Sequence, residues 1–346
     1  MTPFSHRDQL TSLSPEQLDA YWAHGWFRMR QNVFTTHFLE FADRFHSALW
    51  LRVDLAAWSG DRKFAELAKR NKAFRVEFAV ADSKATSGAH EALFQRYRHG
   101  LEFEVSPTLQ SLLFGRHRSS RFQTQEINLY DGDKLIAAGV FDLGKDSAAG
   151  ITSFYDPDYR KYSLGKYLIY CKMQWCRGFG LQWFYPGYFA PGHARFDYKI
   201  EMATEALQYL ALSTGEWRHF SADFEDPLAE MTAKLASLAL DLQKRGNEVQ
   251  LVYYRHLDAN LHPQLAGMDL FDMPVFLQLL PLVVTYDPRS NLFEIDYCRS
   301  VYQFEDSGSN PDIWDSHLLA VDQVLFSSPL ADEVVALVES GILARR

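Results

Sequence analysis

The spacing of apolar and polar residues changes several times along the chain, and each change marks a new kind of element. Ser14-Pro15-Glu16-Gln17 has the chemistry of a helix start, with Ser as N-cap, Pro at the first helical position and Gln17 placed to reach back to the cap. The pattern predicts a helix through about His24, stopped by Gly25. Apolar residues alternate over residues 48–55, which predicts a strand, and residues 60–100 read as basic helical segments. From residue 122 the period becomes two. Residues 124–130, 135–143 and 151–155 are expected as strands of an antiparallel meander, turned at Asp131-Gly132-Asp133 and over residues 144–149. Asp156-Pro157-Asp158 breaks that sheet. Helical spacing follows over residues 166–177, opened by Ser163-Leu164-Gly165 and stopped by Gly178 and Gly180. Residues 181–186 predict a short buried strand, and Gly187-Tyr188 a loop leading to Tyr198-Lys199. Beyond residue 222 the pattern predicts a helix over 227–244, a strand over 249–254, an apolar stretch over 274–284, a turn over 287–291 and two terminal helices.

Strands followed by a helix and a further strand make a layered α/β (α+β) unit with a mixed, mostly antiparallel sheet flanked by helices. The expected parts are an N-terminal α+β module over 1–105, a central domain over 106–222 and an acidic C-terminal α+β extension over 223–346. A helix that starts straight after a strand turns free N–H groups and a positive dipole end toward a phosphate or carboxylate.

Composition narrows the class. With 47% hydrophobic and 23% charged residues, a 346-residue chain is neither disordered nor fibrous. Three cysteines, Cys171, Cys176 and Cys298, make no disulfide framework and show no zinc or iron–sulfur spacing. Cys171 and Cys176 are expected as buried small hydrophobes. No apolar run approaches the roughly 18 residues of a membrane helix, and residues 1–8 lack the apolar core of a signal peptide, so a cytoplasmic location with no membrane partner is expected. The net charge of −9 is unevenly spread: residues 1–200 hold 26 basic and 21 acidic side chains, residues 201–346 hold 9 and 23. Residues 61–121 concentrate 12 basic against 7 acidic, among them Arg62, Lys63, Lys69, Arg70, Lys72, Arg75, Arg116 and Arg118. Such a stretch either meets a polyanion through its phosphates or is a solvated helix face.

Several motifs in order resemble the arginyl-tRNA protein transferase family, including its bacterial leucyltransferase branch. They are residues 129–142, Ser153-Phe-Tyr-Asp-Pro-Asp-Tyr-Arg160, Ser163-Leu164-Gly165, Tyr185-Pro-Gly-Tyr188 and Tyr198-Lys199. Residues 13–28, Leu51-Arg52-Val53 and residues 208–217 extend the likeness over about residues 13 to 222. The resemblance implies an acetyltransferase-like (GNAT) sheet, charged tRNA as co-substrate with no other cofactor, and a protein or peptide N-terminus as acceptor. It differs from the family in lacking the N-terminal cysteines that bind a metal or cluster. Residues 31–47 offer Thr35, Thr36, His37 and His46 instead, so a metal-free relative is expected.

Transfer of an aminoacyl group is attack of a neutral amine on an ester, which needs orientation, a proton acceptor and oxyanion stabilisation, but no covalent enzyme intermediate. Asp156 is expected either as proton acceptor or as a turn former and cap. Tyr188, Tyr198 and Lys199 are the other catalytic candidates. Tyr155, Arg160, Ser163, Leu164, Gly165 and Gly187 are expected to bind substrate, Arg160 through the fork geometry that suits phosphate. Trp26, Arg28 and Arg52 are candidates for holding the acceptor or the tRNA, against a core tryptophan with snorkelling arginines. Arg62, Lys63, Lys69, Arg70, Lys72 and Arg75 are the candidate tRNA contacts. Two other readings stay open: an acyl-CoA-dependent N-acyltransferase using acetyl-CoA, and a binding protein that kept the scaffold without catalysis.

Overall fold

A computed structural model describes residues 3–81, 88–101, 106–115, 117, 120–265, 267–279, 282–303 and 317–340. Arg116 and Arg118 of the basic stretch lie outside the described residues. The predicted helix start forms. The Ser14 hydroxyl accepts from the Gln17 N–H, and the Gln17 side chain accepts from the Ser14 N–H at 2.8 Å, opening α1 (Pro15–Ala23). Around it β1 (Ser5–Asp8), β2 (Phe27–Met29) and β3 (Asn32–Thr36) form a small sheet, followed by the hairpin of β4 (Phe38–Phe41) and β5 (Arg44–Ser47).

The centre of the molecule is an eight-stranded sheet. Its strands are β6 (Leu49–Asp54), β7 (Arg75–Val80), β8 (Gln123–Asp131), β9 (Lys134–Leu143), β10 (Ser147–Tyr155), β11 (Trp183–Phe189), β12 (Leu207–Ala211) and β13 (Glu216–His219). The order is β13-β12-β6-β11-β10-β9-β8-β7, so two strands from residues 1–105 belong to it. Residues 75–80 were expected within a helical segment and are instead its edge strand. Val76, Phe78 and Val80 repeat with period two, which no single helix face accommodates. Helices α2 (Arg62–Arg70) and α5 (Leu164–Gly178) cover one face, burying Leu67, Leu164, Leu168 and Met173 against Leu51, Val53, Ile127 and Ile136. On the other face Trp22, Phe27, Trp50 and Tyr185 form a second cluster. Helices α3 (Ala89–His99) and α4 (Leu109–Leu113) pack on Ala138, Val140 and Phe154.

Six of the seven contacts between neighbouring strands are antiparallel; the exception is the β10–β11 contact, which is parallel and short. It pairs Ser147 with Trp183, Ala148 with Phe184 and Ala149 with Tyr185, and goes no further. The next residue on β11 is Pro186, which has no N–H to continue the ladder, and Gly187 follows at φ +89°. On its other side β11 pairs with β6 at Phe184 and again only at Gly187. Pro186-Gly187 was read as the end of a strand; it is a kink within one, and the two parallel strands part there.

The C-terminal part forms its own antiparallel sheet, β14 (Gln250–Tyr253), β15 (Val275–Leu279), β16 (Leu282–Asp287), β17 (Leu292–Gln303) and β18 (His317–Ser328), with α7 (Pro227–Lys244) and α8 (Ala331–Glu339) packed on it. Among the described residues it holds one terminal helix, not two. The stretch before it is extended and pairs as the long β17–β18 ladder. Helix α7 has the predicted bounds, capped by Asp226. Among the described residues no helix is long and apolar enough to cross a membrane.

Arg28, a candidate substrate contact, is a structural residue. Its guanidinium is buried, donates to Asp142 Oδ1 at 2.9 Å, Thr124 Oγ1 at 3.0 Å and the Arg30 and Leu113 carbonyls, and lies 4.4 Å over the Phe122 ring. Burial raises the Asp142 pKa and the Arg28 charge opposes that rise. Arg28→Met leaves Asp142 buried without its cation, and denaturant unfolding at neutral pH is expected to show a loss of about 3–5 kcal/mol.

Candidate active site

Where β10 and β11 part, the fork opens a cleft of about 430 Å³. Its walls are Gly150 to Ser153 and Tyr155 from β10, and Phe184 and Pro186 from β11. Tyr97 comes from α3, Arg160 from the turn before α5, Ser163, Gly165, Lys166, Ile169 and Lys172 from the α5 segment, and Tyr198 and Lys199 from the short helix α6 (Asp197–Ile200). Among the described residues four cations line it and no carboxylate does. Ser163 sits in the left-handed region at φ +54°, its side chain making no cap bond, so the first N–H groups of α5 stay open toward the space beside Gly165.

Two of the four cations are buried lysines. Lys199 is 8% exposed and donates from Nζ to the Tyr188 carbonyl at 2.7 Å. Burial, and then the Arg195 guanidinium, bring its pKa down to about 7. Lys172 is 1% exposed, held by oxygen acceptors of β9 and β10, and burial pulls its pKa down to about 7 as well. Tyr198 is pushed up to about 12, first by burial and then by the nearby Tyr97. The cleft thus offers an amine poised near neutrality, a phenol that keeps its proton, and cationic walls.

Of the catalytic candidates, Tyr198 and Lys199 line this space and Asp156 and Tyr188 do not. Asp156 is 1% exposed and bound by Arg96 at 2.7 Å, Lys134 at 2.8 Å and the Asp158 N–H at 3.2 Å. Burial opposes its charge, but the Lys134 and Asp158 hydrogen bonds with Lys134 and Arg96 hold its pKa below the usual carboxylate value. A carboxylate so committed is the cap that the Asp-Pro-Asp turn suggested. Tyr188 packs edge-on to Trp50 at 5.2 Å, and it is its carbonyl that serves the site, through Lys199. Gly187 supports the same lysine: a Cβ there would come 3.1 Å from Lys199 Nζ, at a φ that L side chains rarely adopt.

Of the remaining substrate candidates, Tyr155, Arg160, Ser163 and Gly165 line the cleft, while Leu164 is fully buried in the core below it. Trp26 and Arg52 belong to the opposite face. Trp26 meets His6 and Tyr21 at 5.7 Å, and Arg52 is stacked 3.7 Å over Trp183 and bonded to Gln208 at 2.8 Å. Of the six basic candidates, Lys63 and Arg70 line an adjoining hollow of about 190 Å³ that shares Ser163, Lys166 and Tyr198 with the main cleft. Arg62 pairs with Glu66 on the same helix at 2.8 Å, Lys69 and Lys72 are exposed, and Arg75 lies on edge strand β7, paired with Glu77. Lys63 and Lys166 converge on Glu201 at 3.3 and 3.4 Å.

Lys172, Ser153, Tyr97 and Lys166 were not among the candidates. A signal for Lys172 existed: Leu164, Leu168, Lys172 and Cys176 stand four apart, so a charged residue sits on the buried stripe of its helix.

Residues 89–208 match the family described as "Arginine-tRNA-protein transferase, C terminus". An aspartate/glutamate leucyltransferase of Stenotrophomonas maltophilia is 27% identical over 183 residues, 51% of this chain and 70% of that one. One of Leptospira interrogans is 31% identical over 155 residues, 43% of this chain and 58% of that one. Among solved structures, L-PGS from Bacillus licheniformis is similar at a TM-score of 0.33 and 14% identity, covering 53% of each chain.

The Lys199 titration has a measurable consequence. Its ordinary pKa of 10.5 falls to about 7 in the fold, so between those values the unfolded chain holds a proton that the folded protein lacks. Stability therefore rises with pH across that window. Lys199→Met removes the penalty. Denaturation midpoints are expected to favour the variant by a few kcal/mol at about pH 6.5, with the difference shrinking toward pH 10.

Proposed function

We propose, from the match of residues 89–208 to the arginine-tRNA-protein transferase C-terminal family, that this protein transfers Arg or Leu from charged tRNA to the N-terminal amine of a protein acceptor. The single observation behind the reading is the fork between β10 and β11, a cleft whose wall among the described residues holds four cations and no carboxylate, with a hollow beside it where Lys63, Arg70 and Lys166 stand with Glu66 and Glu201. In this reading the sheet is an acetyltransferase-like (GNAT) scaffold, and the parted strands separate the two substrates.

The roles follow from chemistry. Arg160 and the open N–H groups of α5 face the terminal phosphate of the tRNA. Lys63 and Arg70 meet the backbone that precedes it. Lys199, near neutrality and tethered to Tyr188, takes the proton that the attacking amine must lose, and Tyr198 orients the groups through a hydroxyl that stays protonated. Bringing amine and ester together supplies much of the acceleration, and a carboxylate-free wall leaves the developing negative charge unopposed. The named relatives are aspartate/glutamate leucyltransferases, so leucine as donor and acceptors beginning with Asp or Glu are the first choices. The reaction takes place in the cytoplasm, where charged tRNA is available.

Incubation with labelled Leu-tRNA or Arg-tRNA and peptides beginning with Asp or Glu is expected to give labelled peptide. No label, together with turnover of acetyl-CoA, transfers the site to the acyl-CoA reading. Arg70→Glu and Lys63→Glu are each expected to weaken tRNA binding and to lower the slope of log affinity against log salt by about 1; an unchanged slope removes the α2 face from the tRNA path.

A further inference from the structure

Lys172 ends inside the sheet. Its Nζ donates to the Thr152 carbonyl at 2.9 Å, the Val140 carbonyl at 3.1 Å and Ser153 Oγ at 3.1 Å. Those acceptors use the three N–H bonds of an ammonium, which has nothing to accept with. They are grouped there because the β9–β10 register slips: Gly150 faces Phe141, Thr152 faces Val140, and Ile151 is left over. Gly139 makes the room, since a Cβ at that position would come 2.8 Å from Lys172 Nζ and 3.0 Å from Ser153 Oγ.

The consequence falls on Ser153. Three oxygens within 3.1 Å suit an ammonium, and in that form Lys172 can only donate, so the serine oxygen accepts and its own proton is left for another partner. Among the described residues no acceptor takes it, and the side chain lines the cleft. The hydroxyl is a donor aimed at whatever oxygen enters, and the ammonium behind it strengthens that donation. No carboxylate holds Lys172 at the other end; its three partners are neutral oxygens.

We propose that Ser153, set by Lys172, donates its O–H to the carbonyl oxygen of the bound aminoacyl ester and stabilises the negative charge that forms there. This rests on the transferase reading above. Attack of the amine nitrogen on the ester carbon forms the C–N bond and moves the carbonyl π pair onto that oxygen. Collapse breaks the C–O bond to the ribose, whose oxygen leaves with the electron pair and takes up one proton while the amine nitrogen gives one up. Ser153 keeps its proton throughout. It touches the reacting atoms and is a catalytic residue; Lys172 acts through it and is a positioning residue.

The test measures peptide labelling with charged tRNA at saturation, tRNA binding and melting temperature for Ser153→Ala, Ser153→Thr, Lys172→Met and the double variant. Ser153→Ala is expected to lower kcat about a hundredfold or more, with tRNA binding and KM within about twofold of the parent. Ser153→Thr, which restores a hydroxyl, recovers part of the rate. Lys172→Met lowers kcat to a similar extent, and the double variant is no slower than Ser153→Ala, because the lysine works through the serine. If Ser153→Ala does not fold, Ser153→Cys keeps its volume with a weak donor and reads the same loss. A parent-like kcat in the folded serine variants, or losses that multiply in the double variant, overturns the assignment while the transferase reading stands. A parent protein that labels no peptide overturns the transferase reading itself, and the ester role of Ser153 with it.

Discussion

The parting of two parallel strands is the constraint on which the rest of the molecule depends. A parallel ladder needs an N–H on every second residue of each strand. Pro186 cannot supply one, and Gly187 then turns the backbone to a φ of +89°. The ladder stops at Ala149–Tyr185, yet neither strand stops, because β10 continues to pair with β9 and β11 resumes pairing with β6. The result is a hole in a sheet that is otherwise closed, and everything that lines the hole arrives on an element whose position other contacts already decide.

Among the described residues, the two buried lysines of the wall have no acidic partner, whereas Lys166 at the wall pairs with Glu201. Two lysines are nearly inaccessible to solvent, and each is held by backbone carbonyls, with a serine added for Lys172, not by an acid. Elsewhere the chain deals with buried charge differently. Arg28 meets Asp142, and Asp156 meets Arg96 and Lys134, so that each is compensated on the spot. Placing the two buried lysines together, where β10 and β11 part, lowers stability at neutral pH and leaves a positive field for an incoming group to answer.

Much of this was legible in the residues. The capping box at Ser14, the meander after residue 122 and the helix over 227–244 follow from spacing, and the cleft positions Tyr155, Arg160, Ser163, Gly165, Tyr198 and Lys199 from the family resemblance. Hidden were the features that depend on partners far away in the chain. Arg28 and Asp156 look like free charged groups until Asp142, Arg96 and Lys134 are brought to them across 60 to 114 residues or more locally across the sheet. Residues 75–80 were read with their basic neighbours as helix, although their period is two, because charge was weighed above alternation. Lys172 stands within the apolar stripe of its helix, and that exception to the stripe is the one sign of it in the sequence.

The arrangement also explains why the two lysines differ in what they can do. In its ammonium form Lys172 spends all three N–H bonds on fixed oxygens and sits behind Ser153. Lys199 has one such tether, the Tyr188 carbonyl, and the neighbouring Arg195 works against its protonation. In the proposed reaction, one cation held on three fixed oxygens and one with a single tether, both on the wall of one cleft, divide the work that attack by an amine on an ester needs: charge on the oxygen is met by a group that does not move, and the proton by one that takes it and lets it go.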